Sequence, residues 1–134
     1  MAYSRIHSDL TERIIRSFYT VYNTLGYGFL EKVYENAMVL ELQKSGFQVS
    51  QQLPIEVYYE GKTVGRYYAD IVVNDIIILE LKTAETIREE HKFQLLNYLR
   101  ATEHEIGLLL NFGKSPEIKR VIFTNNRKQI KKSA

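Results

Sequence analysis

The sequence of 134 residues contains no cysteine. This absence excludes disulfide bonds, thiolate nucleophiles and every cysteine-based zinc or iron–sulfur site. A metal bound by this chain must therefore be held by oxygen or imidazole ligands. Proline is scarce as well, and Pro54 and Pro116 both stand where one predicted element gives way to the next. Because the sequence also lacks repeats and low-complexity segments, we expect residues 1–134 to form one domain.

Long apolar runs are missing too. No uninterrupted stretch approaches the roughly 20 residues that a membrane-spanning helix needs. The first residues carry charge and Tyr3 instead of the apolar core of a secretory signal. We therefore expect a cytoplasmic protein that does not contact membranes.

An excess of one charge is also absent, since 18 basic residues nearly balance 16 acidic ones and the formal net charge is +2. That value is too small to argue for nucleic-acid binding by itself. The chain end is locally basic, and we favour a solvated, flexible tail over residues 125–134 above a phosphate-contacting one. The basic residues of this end are Arg120, Arg127, Lys128, Lys131 and Lys132.

Hydrophobic periodicity divides the chain into helices and strands. A spacing near 3.6 predicts one helix from Ser8 to the break at Gly26, and two more over residues 30–45 and 87–101. A spacing of two predicts strands between Phe47 and Lys82, where the apolar residues 76–81 have the pattern of a central strand. Two further strands are predicted over residues 106–111 and 120–124. The order α-α-β-β-β-α-β-β predicts an α/β fold with a mixed sheet flanked by helices.

Charged residues inside the predicted core strands are the most informative feature. Asp70, Glu80 and Lys82 interrupt segments that are otherwise apolar, and buried charge is costly. Glu80 and Lys82 are two residues apart, so both face the same side of the sheet. Asp70 can join them only if the turn at Asn74 and Asp75 shifts the register by one residue. This predicts a three-residue connection ending in a bulge, or a bulge within the strand of Asp70.

Two facing carboxylates repel each other unless a cation lies between them, and Mg²⁺ or Mn²⁺ would suit a pair such as Asp70 and Glu80. Such a metal would polarise a phosphoryl oxygen and acidify a bound water, while Lys82 orients that water or stabilises the developing charge. The reaction class would be phosphodiester hydrolysis. From spacing alone, a buried ion pair between the carboxylates and Lys82, without catalysis, explains the pattern equally well.

The motifs resemble those of the PD-(D/E)XK nuclease superfamily. Asp70 followed by Glu80-Leu81-Lys82 is similar to the split D…(D/E)-x-K motif, and residues 94–98 (QLLNY) are similar to the Q-x-x-x-Y signature of the RecB-like and Cas4-like branch. Residues 28–34 (GFLEKVY) resemble the stretch that names the G-x-x-E-x-x-Y family of the same superfamily. The resemblance extends over residues 10–123, with the motifs in the family's order.

This resemblance implies a divalent-metal-dependent nuclease with Asp70 and Glu80 as metal ligands and Lys82 as the catalytic lysine. It also implies that Glu31 reaches the metal, directly or through water. Without a metal, Glu31 would only complement the positive end of a helix. Ala69 departs from the proline in the superfamily's name, at a position that is tolerant across its members.

Further candidates lie on the third predicted helix. Gln94 and Tyr98 are four residues apart and share one helical face, so Gln94 could hydrogen-bond Lys82, a water or a DNA phosphate. Tyr98 is a candidate for packing as much as for substrate contact. His91 could shuttle a proton or contact phosphate, although a lone helical histidine is more often a surface residue.

Arg66 and Tyr68 share the face of Asp70 if the strand is regular, so they are candidates for lining a substrate path. The leading hypothesis is a nuclease that cleaves DNA. The alternative is a nucleic-acid-binding or assembly protein that keeps the nuclease fold but does not cut, and a third is a metal-independent interaction module. Since so small a core usually gains substrate surface by assembly, we expect a homodimer or larger homo-oligomer.

Overall fold

The structure is a computed structural model and describes residues 7–129. Three helices and five strands follow in the predicted order, so the prediction of an α/β fold is confirmed. The elements are α1 (Ser8–Leu25), α2 (Glu31–Lys44), β1 (Val49–Tyr59), β2 (Lys62–Val73), β3 (Ile77–Lys82), α3 (Glu89–Arg100), β4 (Ile106–Asn111) and β5 (Glu117–Ile122). Within residues 7–129, none of the helices combines the length and apolar character that crossing a membrane requires.

The strands form a single mixed sheet in the order β1-β2-β3-β4-β5. β3 and β4 are parallel, whereas the other neighbouring pairs are antiparallel. Parallel neighbours need a long crossover connection, and α3 provides it between β3 and β4. The predicted mixed sheet flanked by helices is therefore confirmed.

Both faces of the sheet are covered, which explains the apolar runs of β3 and β4. The first core lies under α1 and α2 and the second lies under α3. The helical residues of the first core are Ile14, Phe18, Val21, Tyr34, Met38 and Leu42, and those of the second are Leu95, Tyr98 and Leu99. Gly107 lets α3 approach β4 closely, because a Cβ there would lie 2.7 Å from Leu95 Cδ1.

The basic chain end starts on the surface of the domain. Asn125–Arg127 form a short 3₁₀ turn after β5. Lys128 Nζ then donates hydrogen bonds to the carbonyl oxygens of Thr102 at 2.8 Å and His104 at 2.6 Å. This part of the predicted tail is thus packed against the domain, whereas residues 130–134, with two of its lysines, lie outside the described residues.

Candidate active site

The candidate site lies where β2 and β3 separate. Their ladder of backbone pairs ends at Ile71 and Leu79, and the next two residues, Asp70 and Glu80, face each other across the opening between the strands. We call this opening the fork. Residues 74–76 connect the two strands, so the predicted three-residue connection is confirmed. Its length gives the register that puts Asp70 opposite Glu80.

Side-chain carboxylates replace backbone hydrogen bonds at the fork. The backbone N–H of Asp70 donates to Glu80 Oε2 at 3.0 Å, and the backbone N–H of Leu81 donates to Asp70 Oδ2 at 2.9 Å. Each carboxylate therefore reaches across to the opposite strand. These two contacts tie each carboxyl group to the opposite strand and limit its movement.

β2 is irregular at Asp70. Ala69 packs in the core under α3, whereas Ile71 packs in the core under α1 and α2. Residues two apart on a regular strand share a face, so the strand changes face beside Asp70. Opposite Asp70, Gln52 of β1 has a φ of 55°. Its neighbours Gln51 and Leu53 pair with β2, but Gln52 itself is missing from the register of the two strands. The β1–β2 register is nevertheless the same on both sides of Asp70, so the alternative prediction of a bulge in this strand is wrong and the three-residue connection gives the register.

The surroundings of the fork raise the pKa values of both of its carboxyl groups. Burial, with the facing carboxylate of Asp70 as the second cause, raises the pKa of Glu80 to about 8. Burial also raises the pKa of Asp70, against the opposing effect of the hydrogen bond from the Leu81 backbone. In the absence of a cation, the ionised form of each acid is therefore disfavoured relative to its form in water.

Lys82 and two residues of α3 complete this side of the site. Lys82 Nζ donates a hydrogen bond to Gln94 Oε1 at 3.3 Å. Burial, followed by the negative charge of Glu80, raises the pKa of Tyr98 to about 12. The predicted Lys82, Gln94 and Tyr98 are thus brought together beside the carboxylates, and the Tyr98 hydroxyl keeps its proton at neutral pH.

Glu31 approaches the fork from α2. Its Oε2 accepts a hydrogen bond from the backbone N–H of Thr83 at 3.2 Å, just beyond Lys82. Its charge also contributes to raising the pKa values of Asp70 and Glu80. Glu31 is the first residue of α2, so it complements the helix dipole in the same position.

Tyr34 secures the loop that delivers Glu31. Its hydroxyl donates to the carbonyl oxygen of Gly26 at 2.6 Å and accepts from the backbone N–H of Phe29 at 3.2 Å. Between them, Gly28 has a φ of 113°, a conformation that residues with a Cβ rarely adopt. The glycine and tyrosine of the G-x-x-E-x-x-Y stretch therefore have structural roles that position its glutamate.

We expect Tyr34→Phe to lower the free energy of unfolding by about 1–2 kcal/mol, because it removes two partly buried hydrogen bonds, to the Gly26 carbonyl and from the Phe29 N–H. Chemical denaturation followed by circular dichroism measures this loss. Tyr19→Phe is the matched control, since Tyr19 lies on α1 with 40% of its surface exposed. Equal stability of the two variants would contradict the role given to the Tyr34 hydroxyl.

Two polar residues near the fork were missed by the sequence analysis. Glu35 is only 5% exposed, and Gln51 Nε2 and Gln52 Nε2 both donate to its carboxylate, at 2.7 and 3.1 Å. Gln52 Nε2 also lies 3.4 Å from Asp70 Oδ1. Glu35 thus contacts the Asp70 carboxylate through Gln52. Its spacing of four from Glu31, which puts both on one helical face, was the available signal.

His91 serves the start of α3. Its Nδ1 accepts a hydrogen bond from the backbone N–H of Arg88 at 3.0 Å. This contact satisfies one of the amides that the first turn of a helix leaves free. The structure thus gives His91 a capping contact, and it does not bring the ring to the carboxylates.

Arg66 and Tyr68 are tied to the β1–β2 hairpin. Arg66 forms an ion pair with Glu56, and its hydrogen bond to Tyr68 is the largest cause that raises its pKa. The intervening Tyr67 turns instead toward α3, with its ring centroid 5.6 Å from that of Tyr98. Tyr67, which the sequence analysis did not select, is therefore in ring contact with a residue of the site.

The donor chemistry of the fork fits a hard divalent cation. Asp70 and Glu80 offer carboxylate oxygens, and burial followed by the charges of neighbouring acidic side chains raises the pKa of both groups. Among residues 7–129, no group of three or more acidic or histidine side chains is gathered closely enough to hold a metal by itself. Mg²⁺ needs no such group, because one or two protein carboxylates with retained waters are its usual ligand set.

Comparison with known proteins finds a matching family model and a solved structure of similar fold. A family model described as the PD-(D/E)XK nuclease superfamily matches residues 8–121, which include the whole fork. No curated protein matches the sequence. The crystal structure of SSO0001 is similar in fold, with a TM-score of 0.56 and 20% sequence identity. That similarity covers 92% of this chain and 62% of the chain of SSO0001.

Proposed function

Because this chain belongs to the PD-(D/E)XK nuclease superfamily, we propose that it is a metal-dependent nuclease that hydrolyses phosphodiester bonds of DNA. A nuclease-like function in general follows from the superfamily, and the finer assignment rests on the fork. Asp70 and Glu80 face each other there, with Lys82 two residues further along the same strand. This single arrangement carries the proposal, since it combines oxygen ligands with a cation beside them.

Each residue of the site has a proposed role. Asp70 and Glu80 would hold Mg²⁺ or Mn²⁺, with Glu31 as a further ligand or as the acceptor for a coordinated water. When bound, such an ion supplies Lewis acidity that polarises the phosphoryl oxygen and lowers the pKa of a water. Lys82 donates hydrogen bonds to the attacking water or to the phosphoryl oxygens, where charge develops. Gln94 holds the Lys82 ammonium in place.

We place the chain, within the superfamily, in the G-x-x-E-x-x-Y family and near the RecB-like and Cas4-like branch. Two contacts support this placement. Tyr34 secures the loop before Glu31, and Gln94 contacts Lys82, so both signatures act on the fork. The expected location is the cytoplasm, and the expected assembly is a homodimer or larger homo-oligomer that extends the DNA-binding surface.

A second candidate function is nucleic-acid binding or assembly without cleavage. The hydrogen bonds between the carboxylates and the backbone N–H groups of Asp70 and Leu81 favour it, because they give Asp70 and Glu80 a structural purpose without a metal. Cleavage assays separate the two functions.

The test uses supercoiled, linear and single-stranded DNA, each with Mg²⁺, Mn²⁺ or a chelator. We expect cleavage of at least one substrate with a divalent ion and none with the chelator. An Asp70→Ala preparation made in the same way controls for contaminating nucleases. If both preparations bind DNA and cut it equally slowly, the non-cleaving function replaces the proposed one.

A further inference from the structure

A groove lined with aromatic residues lies beside the fork, between the β1–β2 hairpin and α3. It encloses about 520 Å³. Its walls are Val57, Tyr67, Glu90, Phe93, Gln94, Asn97, Tyr98, Arg100 and Ala101. We call it the aromatic groove. Its lining combines the rings of Tyr67, Phe93 and Tyr98 with the side-chain amides of Gln94 and Asn97. This combination suits a flat ligand with hydrogen-bonding groups around its rim.

The aromatic groove is continuous with the proposed catalytic centre. Gln94 forms part of its wall and accepts the hydrogen bond of Lys82 at 3.3 Å. Tyr98 is another wall residue, and its pKa is raised first by burial and second by the charge of Glu80, which lies in the fork. A strand whose phosphate lies at Lys82 therefore has the groove next to its adjoining nucleotide.

Two rings of the groove are presented to solvent and are not used by the core. Phe93 on α3 is 59% exposed and Tyr67 on β2 is 50% exposed. Large aromatic side chains usually contribute to a core, so an exposed pair at the mouth of a groove indicates a binding surface. Nucleobases stack on such faces regardless of their identity.

Positive charge continues from the far end of the aromatic groove. Arg100 lines it and also lines a second cavity of about 550 Å³ with Phe123, Arg127 and Gln129. The guanidinium groups of Arg100 and Arg127 lie 5.2 and 4.7 Å from the Phe123 ring centroid. The negative charge on the wall is Glu90, which lies near Arg88 with its oxygen 3.9 Å from a guanidinium nitrogen. The two arginines thus offer phosphate contacts along one path.

We propose that the aromatic groove binds one unpaired base of the strand that is cut, stacked on Phe93 and Tyr67, while Arg100 and Arg127 contact the following phosphates. This proposal rests on the proposed nuclease function and adds its substrate class. A base inside a continuous duplex cannot reach the groove without leaving its stack, which costs free energy. The preferred substrate is therefore single-stranded DNA or a frayed end.

The test measures binding in the presence of a chelator, so that it does not depend on cleavage. The probe is a single-stranded oligodeoxynucleotide with one 2-aminopurine, whose fluorescence falls when the base stacks. A matched oligonucleotide carries an abasic site instead. We expect quenching with the wild-type protein and a Kd about 10-fold higher for the abasic strand. Phe93→Ala should raise the Kd for the intact strand by a similar factor and leave that for the abasic strand unchanged.

Phe93→Tyr keeps a ring and should keep the affinity, while Tyr59→Ala removes another exposed aromatic outside the groove and serves as the matched control. Equal affinity for the intact and abasic strands, or no binding of either, overturns the proposal. If the protein bound the intact strand more tightly than the abasic one but never cut DNA, the base-binding proposal would be supported and only the nuclease proposal would be contradicted. If duplex and single strands were cut at equal rates that Phe93→Ala did not change, the nuclease proposal would be supported and the base-binding proposal would be contradicted.

Discussion

Replacement of Lys82 by alanine is expected to lower the rate of DNA cleavage by about 10²–10³-fold, the range seen when one donor to a developing charge is removed. Lys82 is the cation two residues beyond Glu80 at the fork, and its ammonium contacts the Gln94 amide. Initial rates with saturating Mg²⁺ measure the loss. Gln94→Ala should cause a smaller loss, about 10-fold, because it only frees the lysine to move.

The control for this experiment is Lys44→Ala. Lys44 is the last residue of α2, at the opposite end from Glu31, and its exposed ammonium lies 3.7 Å from Glu41. Such surface pairs contribute little, so this variant should cut and fold as the wild type does. Lys82→Ala must also bind DNA and unfold at the wild-type denaturant concentration. A Lys82→Ala protein that cuts as fast as the wild type would remove lysine from the mechanism.

The parts of this fold that sequence predicts well are those fixed by local pattern. The apolar runs of β3 and β4 and the break at Gly26 are signals within a few residues, and the structure confirms the elements that they predict. The position of Asp70 relative to Glu80 was also predictable, because parity required a register shift of one residue, either from a three-residue connection or from a bulge in the strand of Asp70. Local pattern and strand geometry thus locate the fork.

Contacts between distant segments were not predictable. Glu35 and Gln52 meet because α2 crosses β1, and no pattern within either segment contains that crossing. Gln52 adopts a positive φ although glutamine has no preference for it, so the interruption of β1 left no local sign. Which of Tyr67 and Tyr68 faces α3 likewise depends on tertiary packing around the face change at Asp70.

The same long-range packing gives the fork its electrostatics. Sequence showed that Asp70 and Glu80 were charged residues in apolar surroundings, but not that each would accept a backbone hydrogen bond from the other strand. Those contacts hold two acids together in a site where Glu80 is only 5% exposed. The stability of the metal-free protein should therefore depend on whether Glu80 carries a proton.

In the metal-free protein, Glu80→Gln is expected to raise the free energy of unfolding by roughly 3–5 kcal/mol at about pH 9 and to change it little at about pH 5. The folded-state pKa of Glu80 is about 8, above its ordinary value of 4.5. Between these values the folded protein binds a proton that the unfolded chain does not. Wild-type stability therefore falls as pH rises from 4.5 to about 8, by about 1.4 kcal/mol per pH unit. Glutamine has no proton to lose and keeps an oxygen for the Asp70 N–H.

Urea unfolding at both pH values measures this effect, with Glu60→Gln in the exposed β1–β2 turn as the control.

Mg²⁺ or Mn²⁺ should reverse the wild-type trend, because an ion that binds the ionised carboxylates stabilises the folded state by mass action. The stabilisation by the ion should increase from about pH 6 to pH 8, because a growing fraction of Glu80 is then already ionised and no proton has to be released on binding. Glu80→Gln should lose this stabilisation. If the stability of the wild-type protein changed with neither pH nor divalent ions, the fork would not be a metal site with a raised carboxyl pKa. Asp70 and Glu80 would then act only as hydrogen-bond acceptors for the two strands.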